Sequence, residues 1–339
     1  MKFKRISASL LISAVLFSAI ACTGTNEPKE SDAADVTEAE PTETETETVT
    51  ETETETETET ETETEAETET EAETETEAPE TEPEIVYAGM NSGIVRDGTP
   101  KKYFCLCFDD ATQQDLKIIE MCKKYNYYDV TFFISTGLYG VDWTAGVGVP
   151  HVRFTKKEVE SGIYDGFDLA VHTLNHLPLD QYQNSVKKVT NEIEKDAKNI
   201  YKLTGKYPVV MAWPGGDPNV TRELMKIAYE NTSIRLGRGT KSTHKFDLPT
   251  ELLWLEPTAE ISEATLFSDF QKFVDAECTE DMLFFCWGHG YELDLYNSYD
   301  KLDKFIKTVT EAEGIELVTV SEFYQLFKDE IPAVILDEE

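Results

Sequence analysis

Beyond about residue 100 the chain consists of short, unbroken apolar runs, separated by longer stretches in which apolar residues recur every three or four positions. The runs at 102–108, 130–134, 167–171, 209–211, 234–236, 282–286 and 315–320 predict buried strands, because a strand covered on both faces loses its in–out alternation. The stretches between them predict helices over 112–125, 181–204, 220–231, 264–276 and 298–313. In the first of these, Leu116, Ile119 and Cys122 share one face. Strands alternating with helices predict an α/β fold built on a mainly parallel sheet or barrel. Residues 139–165 fit neither pattern. They are rich in Gly, carry Trp143, and read as an irregular excursion that helps to form a rim.

The N-terminal residues carry a different pattern. Lys2, Lys4 and Arg5 precede an apolar run from Leu10 to Ala21, too short for an ordinary membrane span, so residues 1–21 read as an export signal peptide. Ala19-Ile20-Ala21-Cys22 resembles a bacterial lipobox. Cys22 is therefore the expected lipidation site, which places the chain on the extracellular face of the bacterial cell membrane as a lipoprotein, or makes it secreted if Cys22 carries no lipid. From Thr42 to Glu77, Thr and Glu alternate almost without interruption. A period of two with no apolar face buries nothing, and the glutamates repel one another, so residues 22–84 are expected to be a disordered stalk after the lipidated Cys.

The formal net charge of −37 is concentrated in that stalk, where residues 26–84 hold 26 Asp and Glu against one Lys. Residues 85–339 carry 41 acidic and 26 basic residues and no basic stripe, which argues against a nucleic-acid partner. They are numerous enough for one folded catalytic domain, expected to be monomeric. Cys105, Cys107, Cys122, Cys278 and Cys286 are an odd set lying mostly in apolar runs. They read as free buried thiols rather than a disulfide framework or a C-x-C zinc site.

The chemistry-bearing residues gather where predicted strands end. Asp109-Asp110 follows the first run, His172 and His176 follow 167–171, and His289 closes the run that ends in Trp287. Strand ends are where α/β barrels place their chemistry. Two imidazoles and a carboxylate suit a divalent cation with open positions, leaving a second carboxylate and a third imidazole for acid–base work. Adjacent carboxylates on an extended strand point to opposite sides, so both serve one site only if the chain bends after Phe108. The plainer alternative makes Asp109-Asp110 a helix N-cap opening at Ala111. His151 and His244 fall in predicted loops without evident partners.

Phe108-Asp109-Asp110, Thr131-Phe132-Phe133-Ile134, His172-Thr173-Leu174-Asn175-His176, Trp213-Pro214-Gly215-Gly216 and Trp287-Gly288-His289 stand in the order of the polysaccharide deacetylases, the NodB-homology proteins of carbohydrate esterase family four. The chain resembles that family over roughly residues 99–328. The resemblance implies a NodB-like distorted (β/α) barrel of about seven strands and a metal-dependent hydrolase that removes N-acetyl groups from an extracellular polysaccharide, peptidoglycan or another N-acetylated glycan. It implies Asp109 as base and His289 as acid, with Asp110, His172 and His176 holding zinc, or cobalt, nickel or manganese. Gly215 N–H would serve the oxyanion, and Trp213, Trp287 and Tyr291 the substrate. Thr173 is expected to steady the histidine loop through the backbone, Glu292 to orient His289, and Gly288 and Gly290 to leave room for a substrate.

The chain departs from the family pattern at Ala212, where relatives carry an Arg that holds the catalytic Asp. This implies a raised Asp109 pKa unless Arg235 or Arg238 takes over. It also departs at Ala111 and Gly215, and no convincing Asp-x-x-Asp-Trp stretch is present. Two alternatives follow: a catalytically impaired glycan-binding protein of the same fold, or a same-fold hydrolase of small amides or O-acetyl esters.

Overall fold

A computed structural model describes residues 85–90 and 93–335, all within one compact unit, Glu77–Glu339. The signal peptide, Cys22 and the stalk lie outside the described residues. Among the described residues there are eight strands: β1 (Lys102–Asp109), β2 (Val130–Ile134), β3 (Asp168–Val171), β4 (Val210–Ala212), β5 (Leu236–Arg238), β6 (Ala259–Glu260), β7 (Met282–His289) and β8 (Ile315–Leu317). Seven lie in the order β5-β4-β3-β2-β1-β7-β6, with β8 against the first half of β1. Every pairing between them is parallel.

The two edges of this row are joined by one stretch of chain. Leu255 bridges Arg238 of β5, donating to Gly237 O at 3.0 Å and accepting from Gly239 N at 2.9 Å. A few residues later, Ala259 and Glu260 pair with β7. The sheet therefore curls into the distorted (β/α) barrel expected of the sequence.

β1 is the hub, and all eight of its residues are buried. Side chains alternate along it. Tyr103, Cys105 and Cys107 pack inside the barrel with Phe133, Ala170, Val210, Leu236 and Phe285. Phe104, Leu106 and Phe108 pack outward under the helices. There Phe104 stacks on Phe284 and meets Phe270 edge-on, both at 5.6 Å between ring centroids. This two-sided burial explains the continuous apolar run. It also places Cys105 and Cys107 among apolar side chains, as free thiols.

The helices Asp115–Lys124, Val186–Thr204, Arg222–Asn231, Leu266–Asp275 and Tyr299–Thr310 correspond to the five expected. Differences are local and have local causes. The first helix starts at Asp115 rather than Ala111 and has Gln114 at its N-cap, so Asp109-Asp110 is no helix cap. Leu116 is exposed, because the buried face runs through Asp115, Ile118, Ile119 and Cys122. The last strand stops at Leu317, since Thr319 and Glu322 form a capping box that opens a helix over Val320–Phe327.

Phe104→Ala is expected to cost about 3–5 kcal/mol of unfolding free energy, from lost burial plus the cavity left between β1 and the helices. Urea denaturation of the full chain measures it.

Candidate active site

The last inward-facing positions of the strands form one layer at their C-terminal ends. It consists of Asp109 on β1, Ala212 on β4, Arg238 on β5 and His289 on β7, with His172 immediately after β3. Register sets their neighbours: Asp109 pairs with His289 across β1–β7, and Ala212 with Arg238 across β4–β5.

The bend that two adjacent carboxylates require is present. Asp110 leaves the strand at φ 83° and Ala111 follows at φ 53°, while Asp110 N donates to Phe133 O at 3.1 Å. In the loop after β3, Thr173 and His176 are also left-handed, at φ 61° and 50°. Such backbone is disfavoured for residues with a Cβ and persists where surrounding contacts hold it. Here the holding groups come from the helix Val186–Thr204. Asp196 accepts from Thr136 N at 2.8 Å, Thr136 Oγ1 at 2.6 Å and His172 N at 3.1 Å. Glu192 accepts from Asn175 N and Nδ2 at 3.0 Å each. Thr173 Oγ1, expected to do this work, is buried and makes no hydrogen bond.

Asp110 Oδ1 lies 3.9 Å from His172 Nε2 and 3.7 Å from His176 Nε2, a group able to hold a metal ion. Two tetrahedral zinc ligands stand about 3.3 Å apart, so a few tenths of an ångström of closure suffices. His172 Nδ1 lies 2.9 Å from the Ala212 carbonyl. A carbonyl only accepts, so the proton is on Nδ1 and the lone pair on Nε2. That Nε2 is buried without a hydrogen-bond partner. The residues therefore fit a divalent cation.

The ionisation states divide the histidines into two kinds. Burial pushes the pKa of His172 down against the pull of Asp109 and Asp110. Burial and the neighbouring His172 take His176 down to about 4. Both are neutral at pH 7, as ligands must be. Burial also opposes the charge on His289, but Glu292, 3.2 Å from Nδ1, together with Asp110 and Asp109, outweighs it and raises the pKa to about 9.

Both carboxylates stay ionised. Burial is the largest influence on each and works against charge. For Asp109 it is outweighed by Arg238, His172 and His289. For Asp110 it is outweighed by His151, His289, Arg153 and His176.

Several expectations need correction. Of the two arginines expected as substitutes for the one missing at 212, Arg238 takes the place beside Asp109, with Nη2 at 2.5 Å from both carboxylate oxygens. With that arginine in place the Asp109 pKa is lowered, against the pull of burial. Arg235 instead donates to Thr232 O and Ile234 O, away from Asp109. His151 is not without partners, for its Nε2 lies 3.2 Å from Asp110 Oδ2 and its ring stacks on Tyr291 at 4.5 Å. Arg153, not anticipated, donates to Asp110 Oδ1 at 2.6 Å.

His244 also has partners, at 3.0 Å from Asp269 and 3.7 Å from Glu263. Trp213 is no substrate platform, because it is 2% exposed and its Nε1 donates to Leu253 O. Trp287 is 5% exposed and covers the Arg238 guanidinium at 4.5 Å. Tyr291 remains beside His289, with ring centroids 5.0 Å apart. Gly288 and Gly290 answer to packing rather than to substrate room, since an added Cβ would stand 2.3 Å from Ile261 Cγ1 and 2.7 Å from Asp115 Oδ1 respectively. Gly215, at φ 72°, follows β4 in the turn beyond Ala212.

Arg153 and His151 left no periodic signal, being in the excursion. Glu192 and Asp196 did leave one: two acids four residues apart on the apolar face of an amphipathic helix, among Val189, Ile193, Ala197 and Ile200.

Residues 96–231 match the family model described as polysaccharide deacetylase. The chain is similar to that family over this segment. The matched segment ends before β5, so Arg238 and His289 lie beyond it. Among solved structures, the Streptococcus pyogenes deacetylase PplD in complex with acetate is similar at 24% identity and TM-score 0.36, over 45% of this chain and 62% of that one. The peptidoglycan deacetylase PdaC from Bacillus subtilis is similar at 20% identity and TM-score 0.40, over 68% of this chain and 93% of that one. The catalytic domain of the peptidoglycan N-acetylglucosamine deacetylase from Eubacterium rectale is similar at 15% identity and TM-score 0.42, over 67% and 90%. No curated protein matches the chain.

Because the His289 pKa is raised from 6.5 to about 9, its pairing stabilises the fold fully below pH 6.5, and that contribution is lost as pH rises through 9. Glu292→Gln should lower the imidazole pKa by about one unit or more, read by NMR titration of the metal-free protein. The stability gap between wild type and variant should be widest below pH 6.5 and narrow towards pH 9. A gap independent of pH would show that Glu292 does not act through the His289 charge.

Proposed function

We propose that this protein is a deacetylase that removes N-acetyl groups from an extracellular glycan, with a divalent cation, zinc in the first instance, held by Asp110, His172 and His176. The observation that carries the reading is the buried, unpartnered Nε2 of His172, whose Nδ1 proton is committed to Ala212 O. It stands beside a second neutral imidazole and an ionised carboxylate.

The cation would polarise the amide carbonyl and raise the acidity of the attacking water. That help is needed, because a carboxylate whose pKa Arg238 holds low is a weak base towards free water. Asp109 accepts the proton of the water that adds to the carbonyl carbon. Gly215 N–H donates to the developing oxyanion, a role that needs no side chain. His289, charged at neutral pH, gives its proton to the amine nitrogen as the carbon–nitrogen bond breaks, leaving acetate and a free amine. Glu292 keeps that imidazole charged and aimed. Tyr291, beside His289, forms the adjacent wall for the sugar, backed by the buried His151 ring.

The impaired-binder alternative drew on the missing arginine at 212 and on the absent Asp-x-x-Asp-Trp stretch, and Arg238 removes the first of these grounds. Peptidoglycan is the substrate class we favour, reached from the outer face of the membrane through a lipid on Cys22 and the Thr/Glu stalk.

Acetate release by the full chain, loaded with zinc or cobalt, from a panel of N-acetylated glycans, O-acetyl esters and small amides tests the reading. Asp109→Asn should lower kcat by about 10²–10⁴-fold, and His172→Ala should abolish turnover together with tight cation binding. No release from any N-acetylated glycan, with release from esters or small amides, would move the function to the other hydrolase class.

A further inference from the structure

A second group of metal-binding side chains gathers away from Asp110, His172 and His176, and it shares no residue with them. His244 lies in the loop after β5, Glu263 in the turn after β6, and Asp269 on the helix Leu266–Asp275. His244 Nδ1 stands 3.0 Å from Asp269 Oδ2 and 3.7 Å from Glu263 Oε2. All three atoms lie within 4.8 Å of one another.

Hydrogen bonds account for most of this cluster, but not for all of it. Asp269 is 2% exposed; its Oδ1 accepts from Lys272 Nζ at 2.8 Å, and its Oδ2 faces His244. Glu263 Oε1 accepts from Ser242 Oγ. Glu263 Oε2 is buried and has no hydrogen-bond partner. A single proton on Nδ1 serves the nearer carboxylate, Asp269, and cannot serve both. Lys272 is spent on Asp269 Oδ1, and Lys301 donates to the carbonyls of Ile261 and Glu263 at 2.8 and 2.7 Å. A buried carboxylate oxygen left without a donor is costly and calls for a water or an ion.

A divalent cation answers both carboxylates at once. It takes the place of the Nδ1 proton, which moves to Nε2, and it meets Glu263 Oε2, Asp269 Oδ2 and the imidazole lone pair together. Two tetrahedral zinc ligands stand about 3.3 Å apart, between the two separations measured from Nδ1. One imidazole with two carboxylates suits zinc or manganese better than calcium, which takes oxygen donors. The backbone already presents the donors. Lys301 holds the turn that carries Glu263, and His244, left-handed at φ 54°, is pinned by its N–H on Thr258 O at 3.0 Å.

We propose that His244, Glu263 and Asp269 form a second divalent-cation site, which staples the loop after β5 to the helix Leu266–Asp275.

Zinc titration of the metal-free full chain carrying H172A/H176A, followed through the NMR signals of the remaining imidazoles, tests the site without turnover. The His244 signals, assigned by their loss in H244A, should shift and saturate at one zinc per chain. E263Q keeps the shape and removes the charge, and should weaken that binding by about ten-fold or more. The glutamates of residues 26–84 can attract zinc but bring no imidazole, so the His244 signals separate the two. His244 signals unmoved by excess zinc, or an affinity unchanged in E263Q, would overturn the site. If H172A/H176A does not fold, the wild-type chain decides by its count of tightly bound zinc. A count that H244A lowers by one supports the site, and a count that H244A leaves unchanged overturns it.

Discussion

A carboxylate shut away from water at the mouth of an apolar barrel cannot remain charged alone, and Asp109 imposes that condition on everything around it. Desolvating an isolated charge costs several kcal/mol even after relaxation, and the inner face below Asp109 is Cys107, Cys105 and Tyr103. The charge is sustained by a fully buried arginine that is in turn covered by two aromatic rings. Removing one member of such a pair typically costs about 3–5 kcal/mol, because the survivor is left buried and uncompensated. Barrel stability and site electrostatics are consequently the same interaction viewed from two sides.

The same low-polarity surroundings sort the histidines. Burial alone would make all three neutral. His172 and His176 stay so because the nearby carboxylates do not overcome burial. His289 differs by having a carboxylate of its own, Glu292, one helical turn further along the chain. Groups whose protonation is pushed apart within one site are the usual physical basis for assigning acid and ligand roles.

Support for the strained loops comes from outside the barrel. The helix Val186–Thr204 spends two positions of its buried face on acids rather than apolar side chains, forgoing hydrophobic burial there. In return, Glu192 and Asp196 satisfy backbone donors of the loops after β2 and β3. Those loops carry His172, His176 and the left-handed Thr173, so the geometry of the group able to hold a cation depends on a helix that contributes none of its side chains.

Much of this was legible in the chain, and the rest was not, for identifiable reasons. Apolar runs end where solvent or chemistry begins, so Asp109, His172 and His289 could be placed at strand ends from local pattern, as could the alternation of strand and helix. The apolar run at 315–320 was read as one strand, whereas Thr319 and Glu322 form a capping box that ends it and opens a helix. The left-handed turn at Asp110 was required by two adjacent carboxylates serving one site. By itself, then, the sequence determined the architecture, the chemical types at the strand ends and the need for a bend. Only the tertiary structure decided that Arg238 replaces an arginine absent at 212, that Arg153 and His151 reach Asp110, and that Trp213 and Trp287 are packing rather than platform. Those outcomes depend on register between strands distant in sequence and on which face a loop turns inward, and neither is written in a local pattern.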